Sequence, residues 1–222
     1  MKEITVTTFT DPMMGLTYEM EPVYEKLQQN FPGIQFRWVM SLLVKDVSQF
    51  MLPGETIPEY NRRLAKIYES EEAVGGLPIH MPDFCLFDED HRSSLPLNLA
   101  YKAAQLADSD KADQFLWNLR HATIVDVLPT AHYNEILKVV HKTGINEKDF
   151  ARCYKNGSAA KELEKDLALG ERLHIQTLPA FLISTKETSV LIRRLLRYED
   201  FEDIITELSA SDIHKQSSGR FR

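Results

Sequence analysis

The order of elements in the first 41 residues constrains this chain more than any other feature. Ile4, Val6, Thr8 and Phe9 lie in a β-branched and polar alternation, a short strand over Glu3–Phe9. Asp11-Pro12 breaks it, and proline restricts the residue before it to extended or turn conformations. From about Thr17, apolar residues Met20, Val23, Tyr24 and Leu27 fall at spacings of three and four, one stripe of a helix. Pro32-Gly33 ends that helix, and Ile34–Met40 alternates again as a second strand. The start therefore reads β-α-β, a unit whose crossover is almost always right-handed.

Residues 46–165 carry almost no strand pattern. Helical stretches are expected over Glu59–Ser70, Leu95–Leu106, Lys111–Leu128, Ala131–Lys142, Asn146–Lys155 and Ser158–Leu173, with an irregular Pro- and Asp-rich segment over Pro78–Ser94. Strand signals return at Pro179–Ser184 and Ser189–Arg193, joined by the hairpin-length Thr185–Thr188. A helix is expected over Tyr198–Leu208, then a polar and disordered tail over 209–222.

A net charge of −7 argues against a general nucleic-acid binder, which needs a basic surface to displace counterions. No apolar run approaches the ~20 residues that span a bilayer, and the N-terminus enters a strand without a leader's hydrophobic region. The expected location is the cytoplasm. Cys85 and Cys153 are far apart and match no metal or redox spacing. Both are expected to be small buried or half-buried side chains.

The stretch Phe9-Thr10-Asp11-Pro12-Met13-Met14-Gly15-Leu16-Thr17-Tyr18-Glu19-Met20-Glu21-Pro22 joins the first strand to the helix. It resembles the N-terminal signature of the DsbA-like family, in particular cytoplasmic dithiol–disulfide isomerases. That signature is an aromatic residue, Asp-Pro, Cys-x-x-Cys-aromatic, then Glu-Pro. Phe9, Asp11, Pro12, Tyr18, Glu21 and Pro22 match in register. Arg92-Ser93-Ser94 with Leu99–Gln105 resembles the start of a long helix in the family's inserted domain, and Leu173–Phe181 the approach to its cis-proline. The resemblance implies an α/β protein with a thioredoxin fold and a helical domain inserted between its β-α-β and β-β-α halves. Residues 1–45 and 166–208 would form the discontinuous thioredoxin-like domain, and 46–165 the insertion.

Two departures decide the chemistry. Met14 stands where the attacking cysteine would be, and Thr17 where the resolving one would be. Thr177 also replaces the glycine expected two residues before Pro179. Thiol–disulfide exchange needs a thiolate, stabilised at a helix N-terminus, and a second thiol to resolve the mixed disulfide. Methionine has no ionisable proton, and a threonine hydroxyl is far too basic without an adjacent base. The chain resembles an enzyme but is expected to be redox-inactive, with no catalytic residue assigned.

A groove is expected from Asp11, Pro12, Met13, Met14, Gly15, Leu16 and Thr17 on one side and Leu178 and Pro179 on the other. It would take a peptide or protein partner, or a small thiol. The expected role is that of a cytoplasmic binding protein or adaptor. No cofactor motif is present and none is expected, although glutathione is a possible ligand. The competing reading is a glutathione-dependent transferase or isomerase of the kappa-class or hydroxychromene-carboxylate isomerase type. Such enzymes usually carry serine at the position of Met14, which counts against it. Thr10 and Thr17 are the nearby hydroxyls that would have to activate a bound thiol, and Thr17 is otherwise expected to cap the helix. Met20 and Met40 are assigned to the core, Met13 and Met14 to the groove. The seven histidines show no i,i+4 pair, and no metal is expected.

Overall fold

The computed structural model describes residues 3–218, with side chains described to residue 210. Four strands, β1 (Ile4–Thr10), β2 (Ile34–Met40), β3 (Ala180–Ser184) and β4 (Ser189–Ile192), form one sheet in the order β2-β1-β3-β4. β1 runs parallel to β2 and antiparallel to β3, and β4 closes the edge antiparallel to β3.

Register sorts the side chains onto two faces. Val6 lies opposite Phe36 and Ile183, and Thr8 opposite Trp38 and Phe181. This face packs an aromatic layer: Trp38 meets Tyr24 at 4.9 Å and Trp117 at 5.2 Å, and Phe181 meets Phe201 at 5.2 Å. Residues one step out of phase, Phe9, Val39 and Ala180, face the other way against Leu169, Leu173 and Leu178. This is the period-two consequence of the pleat.

The expected helix from Thr17 is two helices, α1 (Gly15–Glu19) and α2 (Glu21–Asn30), split at Met20. Pro22 has no N–H to continue the ladder from Tyr18, so the chain restarts there. The middle folds as α3 (Ile57–Gly75), α4 (Leu95–Ala107), α5 (Ala112–Ile124), α6 (Tyr133–Thr143), α7 (Glu147–Lys155) and α8 (Ser158–Arg172), besides two short 3₁₀ turns. α3 ends at Gly76, whose φ of 79° lies in the left-handed region that glycine enters freely. Asn146 caps α7 by accepting the Asp149 N–H.

The helices and the sheet share one continuous core. A buried ion pair fastens the two parts: Lys102 of α4 contacts Asp166 of α8, and Asp166 also accepts the Met40 N–H at 2.8 Å from the end of β2. α8 runs unbroken across the expected boundary at 166. The last helix, α9 (Tyr198–Ser218), corrects the expected tail: the polar segment from 209 is helical as far as Ser218. No glycine or proline interrupts it before Gly219. Residues 219–222 of that segment lie outside the described residues.

Candidate functional site

The groove begins where β1 runs out. Asp11 is fully buried and its carboxylate is saturated. Oδ1 accepts the Met13 N–H at 3.1 Å; Oδ2 accepts the Leu43 N–H at 2.8 Å, the Ser94 hydroxyl at 2.7 Å and the Asn98 amide at 2.8 Å. Burial raises its pKa, and these four bonds oppose that rise. Asp11 is thus a structural hub beneath the motif loop, and it does not line the groove.

α1 starts directly after Met14, whose backbone is extended and whose side chain makes no cap. Thr17 therefore sits inside the first turn and does not cap the helix, contrary to expectation. It is fully buried, and its hydroxyl lies 2.8 Å from that of Thr10, also fully buried. Arg120 donates to the Thr10 hydroxyl at 3.2 Å from between Trp38 and Trp117, its guanidinium carbon 5.2 and 4.9 Å from their ring centres. Neither threonine hydroxyl is exposed to activate an arriving thiol.

A cavity of about 280 Å³ opens above α1. Of the expected groove residues, Met13, Met14, Gly15, Leu16 and Leu178 line it; Asp11, Pro12, Thr17 and Pro179 do not. The Leu178–Pro179 bond is cis. The opposite wall was not legible in the sequence. Leu43, Val44 and Phe50 supply part of it, and α3 supplies Tyr60, Leu64, Ile67 and Tyr68, a stripe at spacings of four, three and one. Phe50 and Ile67 at its mouth are 44% and 43% exposed, unusual for side chains so large. A wider cavity of about 440 Å³ lies on the aromatic face between α2, β2 and α5, and no expected groove residue lines it.

Glu71 of α3 also lines the groove, and it changes the electrostatics of the motif. Its carboxylate lies near the Leu16 N–H at the start of α1, and its Oε2 is buried without a hydrogen-bond partner. In a thiol enzyme of this build, the free amides here would stabilise the thiolate. Here a carboxylate of the same chain stands beside those amides. Burial pushes the Glu71 pKa up to about 7, the neighbouring Glu19 charge adds to the rise, and the Leu16 N–H opposes it. Tyr68 donates to the Met13 carbonyl at 2.6 Å, pinning α3 onto the loop. Gly15 allows the approach: a Cβ there would collide with Glu71 Oε2 and lie 2.8 Å from the Tyr68 ring.

The cysteines lie elsewhere and are unpaired. Cys153 is buried, as expected, whereas Cys85 is exposed. Phe84, Leu86 and Phe87 are buried around it, and the Cys85 Sγ lies 3.9 Å from Asn61 Nδ2.

A sheet of this order, with a cis Leu178–Pro179 bond whose Leu178 shares a cavity with the residues that enter the first helix, is the architecture of a disulfide oxidoreductase, here with methionine and threonine in place of both thiols. The chain belongs to the thioredoxin family, whose profile matches residues 7–203. Its fold is shared with a Nitrosomonas europaea protein provisionally described as a protein disulfide isomerase (TM-score 0.78, 15% identity, 95% of this chain and 99% of that one). It is shared also with the cytosolic disulfide reductase DsbM of Pseudomonas aeruginosa (TM-score 0.68, 18% identity, 91% and 97% covered). Among curated proteins, the ClpXP adapter protein SpxH of Bacillus subtilis is 22% identical over 93% of this chain and 68% of its own length. The SpxH of Halalkalibacterium halodurans is 25% identical over 82% of this chain and 58% of its own. The chain thus spans about two thirds or less of these relatives. Among the described residues, no helix is long and apolar enough to cross a membrane.

Proposed function

We propose that this chain is a redox-inactive thioredoxin-fold adaptor that holds a segment of a client protein in the groove between α1, Leu178 and α3, and presents the client to a ClpXP-type protease. The observation that carries the reading is the replacement of both motif cysteines by Met14 and Thr17 beside an apolar groove that is retained and opens to solvent. The SpxH relatives supply the protease partner by analogy. We place the chain in the cytoplasm, where a protein with two unpaired cysteines and no disulfide is at home.

Apolar side chains of a client would fill the groove, with the thioethers of Met13 and Met14 adapting to their shape. A glutathione-dependent reaction is the weaker reading. Glu71 already sets a carboxylate beside the amides that would meet an anionic sulfur, and the Thr10 and Thr17 hydroxyls are buried against each other.

The test is reconstitution. A photo-crosslinker at Ile67 identifies the client, and the purified chain is then added to ClpX, ClpP and that client. Client degradation is expected to accelerate, and to slow again with Phe50→Asp or Ile67→Asp, which alter exposed side chains without emptying the core. Degradation unaffected by the chain, together with saturable glutathione binding, would overturn the reading.

A further inference from the structure

Away from the groove, the fold gathers three side chains that the sequence keeps apart. Asp88 and His91 belong to the turn that follows Phe87, and His132 is the residue before α6. The turn presents Asp88 firmly, since Oδ1 accepts the N–H groups of Asp90 at 2.9 Å and His91 at 2.8 Å. The same oxygen lies 2.9 Å from His91 Nδ1, and Oδ2 lies 2.8 Å from His132 Nε2. The two imidazoles stack with centroids 3.8 Å apart and planes 30° from parallel. One potential donor atom from each of the three residues lies within 4.8 Å of the others. The side chains are 38%, 32% and 35% exposed, open enough for an ion to arrive and for the rings to turn.

A local turn explains why Asp88 meets His91, three residues on. It does not explain the recruitment of His132, from the residue before α6, to the other oxygen of the same carboxylate. Two imidazole nitrogens and one carboxylate oxygen suit a divalent transition metal of borderline softness, whereas calcium and magnesium favour oxygen donors alone. We propose that Asp88, His91 and His132 form a binding site for one divalent transition-metal ion, with zinc as its prototype. The ion takes the place of the contacts that now join the two imidazoles to Asp88. Three protein donors leave a fourth position for water or for a donor from a partner. The ion clamps the turn at Asp88 to the start of α6.

The test titrates the chelator-stripped full chain with zinc sulfate against a chromophoric competitor of micromolar affinity. One zinc per chain is expected. His91→Ala and His132→Ala are each expected to weaken binding by at least about tenfold. His121→Ala and His141→Ala, which remove imidazoles paired with Asp126 and Glu147, are expected to leave it unchanged. His132 makes no side-chain cap, so its substitution spares α6, and circular dichroism checks the fold of each variant. Failure of zinc to compete, or one-to-one binding that survives the His91→Ala/His132→Ala double substitution, would overturn the proposal.

Discussion

The Ser94 hydroxyl donates to Asp11 Oδ2 at 2.7 Å across 83 residues of sequence. Two stretches that resemble the same family, Phe9–Pro22 and Arg92-Ser93-Ser94, thus meet at one carboxylate. Asn98 and the Leu43 N–H share it. Asp11→Ala would leave the Met13 and Leu43 N–H groups and one Asn98 N–H unpaired, while the Ser94 hydroxyl keeps the Val44 carbonyl at 3.3 Å, at about 1–3 kcal/mol for each unsatisfied group. A loss of at least about 3 kcal/mol is expected, a fall in Tm of roughly 6–12 °C for a chain of this size. Calorimetry checks it, and an unchanged Tm would deny Asp11 its role as a hub.

Gly15 and Glu71 are coupled by contact. In Gly15→Ala the new Cβ would displace the Glu71 carboxylate, which can swing away, and press on Tyr68, which is buried. Destabilisation of about 1–3 kcal/mol is expected from such overpacking. Part of it should vanish when Glu71→Ala is combined with it, and a double-mutant cycle by urea denaturation measures that coupling. Strict additivity would contradict the contact.

Stability should fall as pH rises toward neutrality. Burial pushes Glu71 up to about 7 from 4.5, with Glu19 adding to the rise. Burial also pushes Glu21 to about 7; Arg120 opposes this, and Glu25 and Glu19 reinforce it. A carboxyl with a raised folded pKa binds its proton more tightly in the native state. The stability it contributes is full below about 4.5 and is lost as pH rises through about 7. Tm is therefore expected to decline from about pH 5 to about pH 7.5 and then level, with a shallower decline in Glu71→Gln. An equally steep decline in that variant would place the titration elsewhere.

The two thiols should separate by accessibility. Cys85 is exposed and Cys153 buried. In native protein one thiol is expected to react rapidly with a chromogenic disulfide reagent, and both should react in denaturant. Cys85→Ser should remove the rapid phase.

The sequence showed what repeats locally and hid what depends on distant contacts. The strands around Phe9, Trp38 and Phe181 and the helices of the middle were readable because apolar spacing follows the period of each element. Thr17 was misread because α1 starts at Gly15, earlier than the apolar stripe indicates. Glu71 sits in the run Glu69-Ser70-Glu71-Glu72, which reads as a solvated helix face; only the docking of α3 turns it onto Leu16. Phe50 and Ile67 gave no sign of lining a groove, since their partners lie on other elements. His91 and His132 are likewise joined only by the fold.

The central claim is that this thioredoxin fold has lost thiol–disulfide exchange. Insulin reduction, measured beside oxidation of a model dithiol peptide, tests it most directly. The wild type, Cys85→Ser and Cys153→Ser are all expected to match the uncatalysed rate. Turnover by the wild type that disappears in one serine variant would contradict the claim and identify a displaced nucleophile.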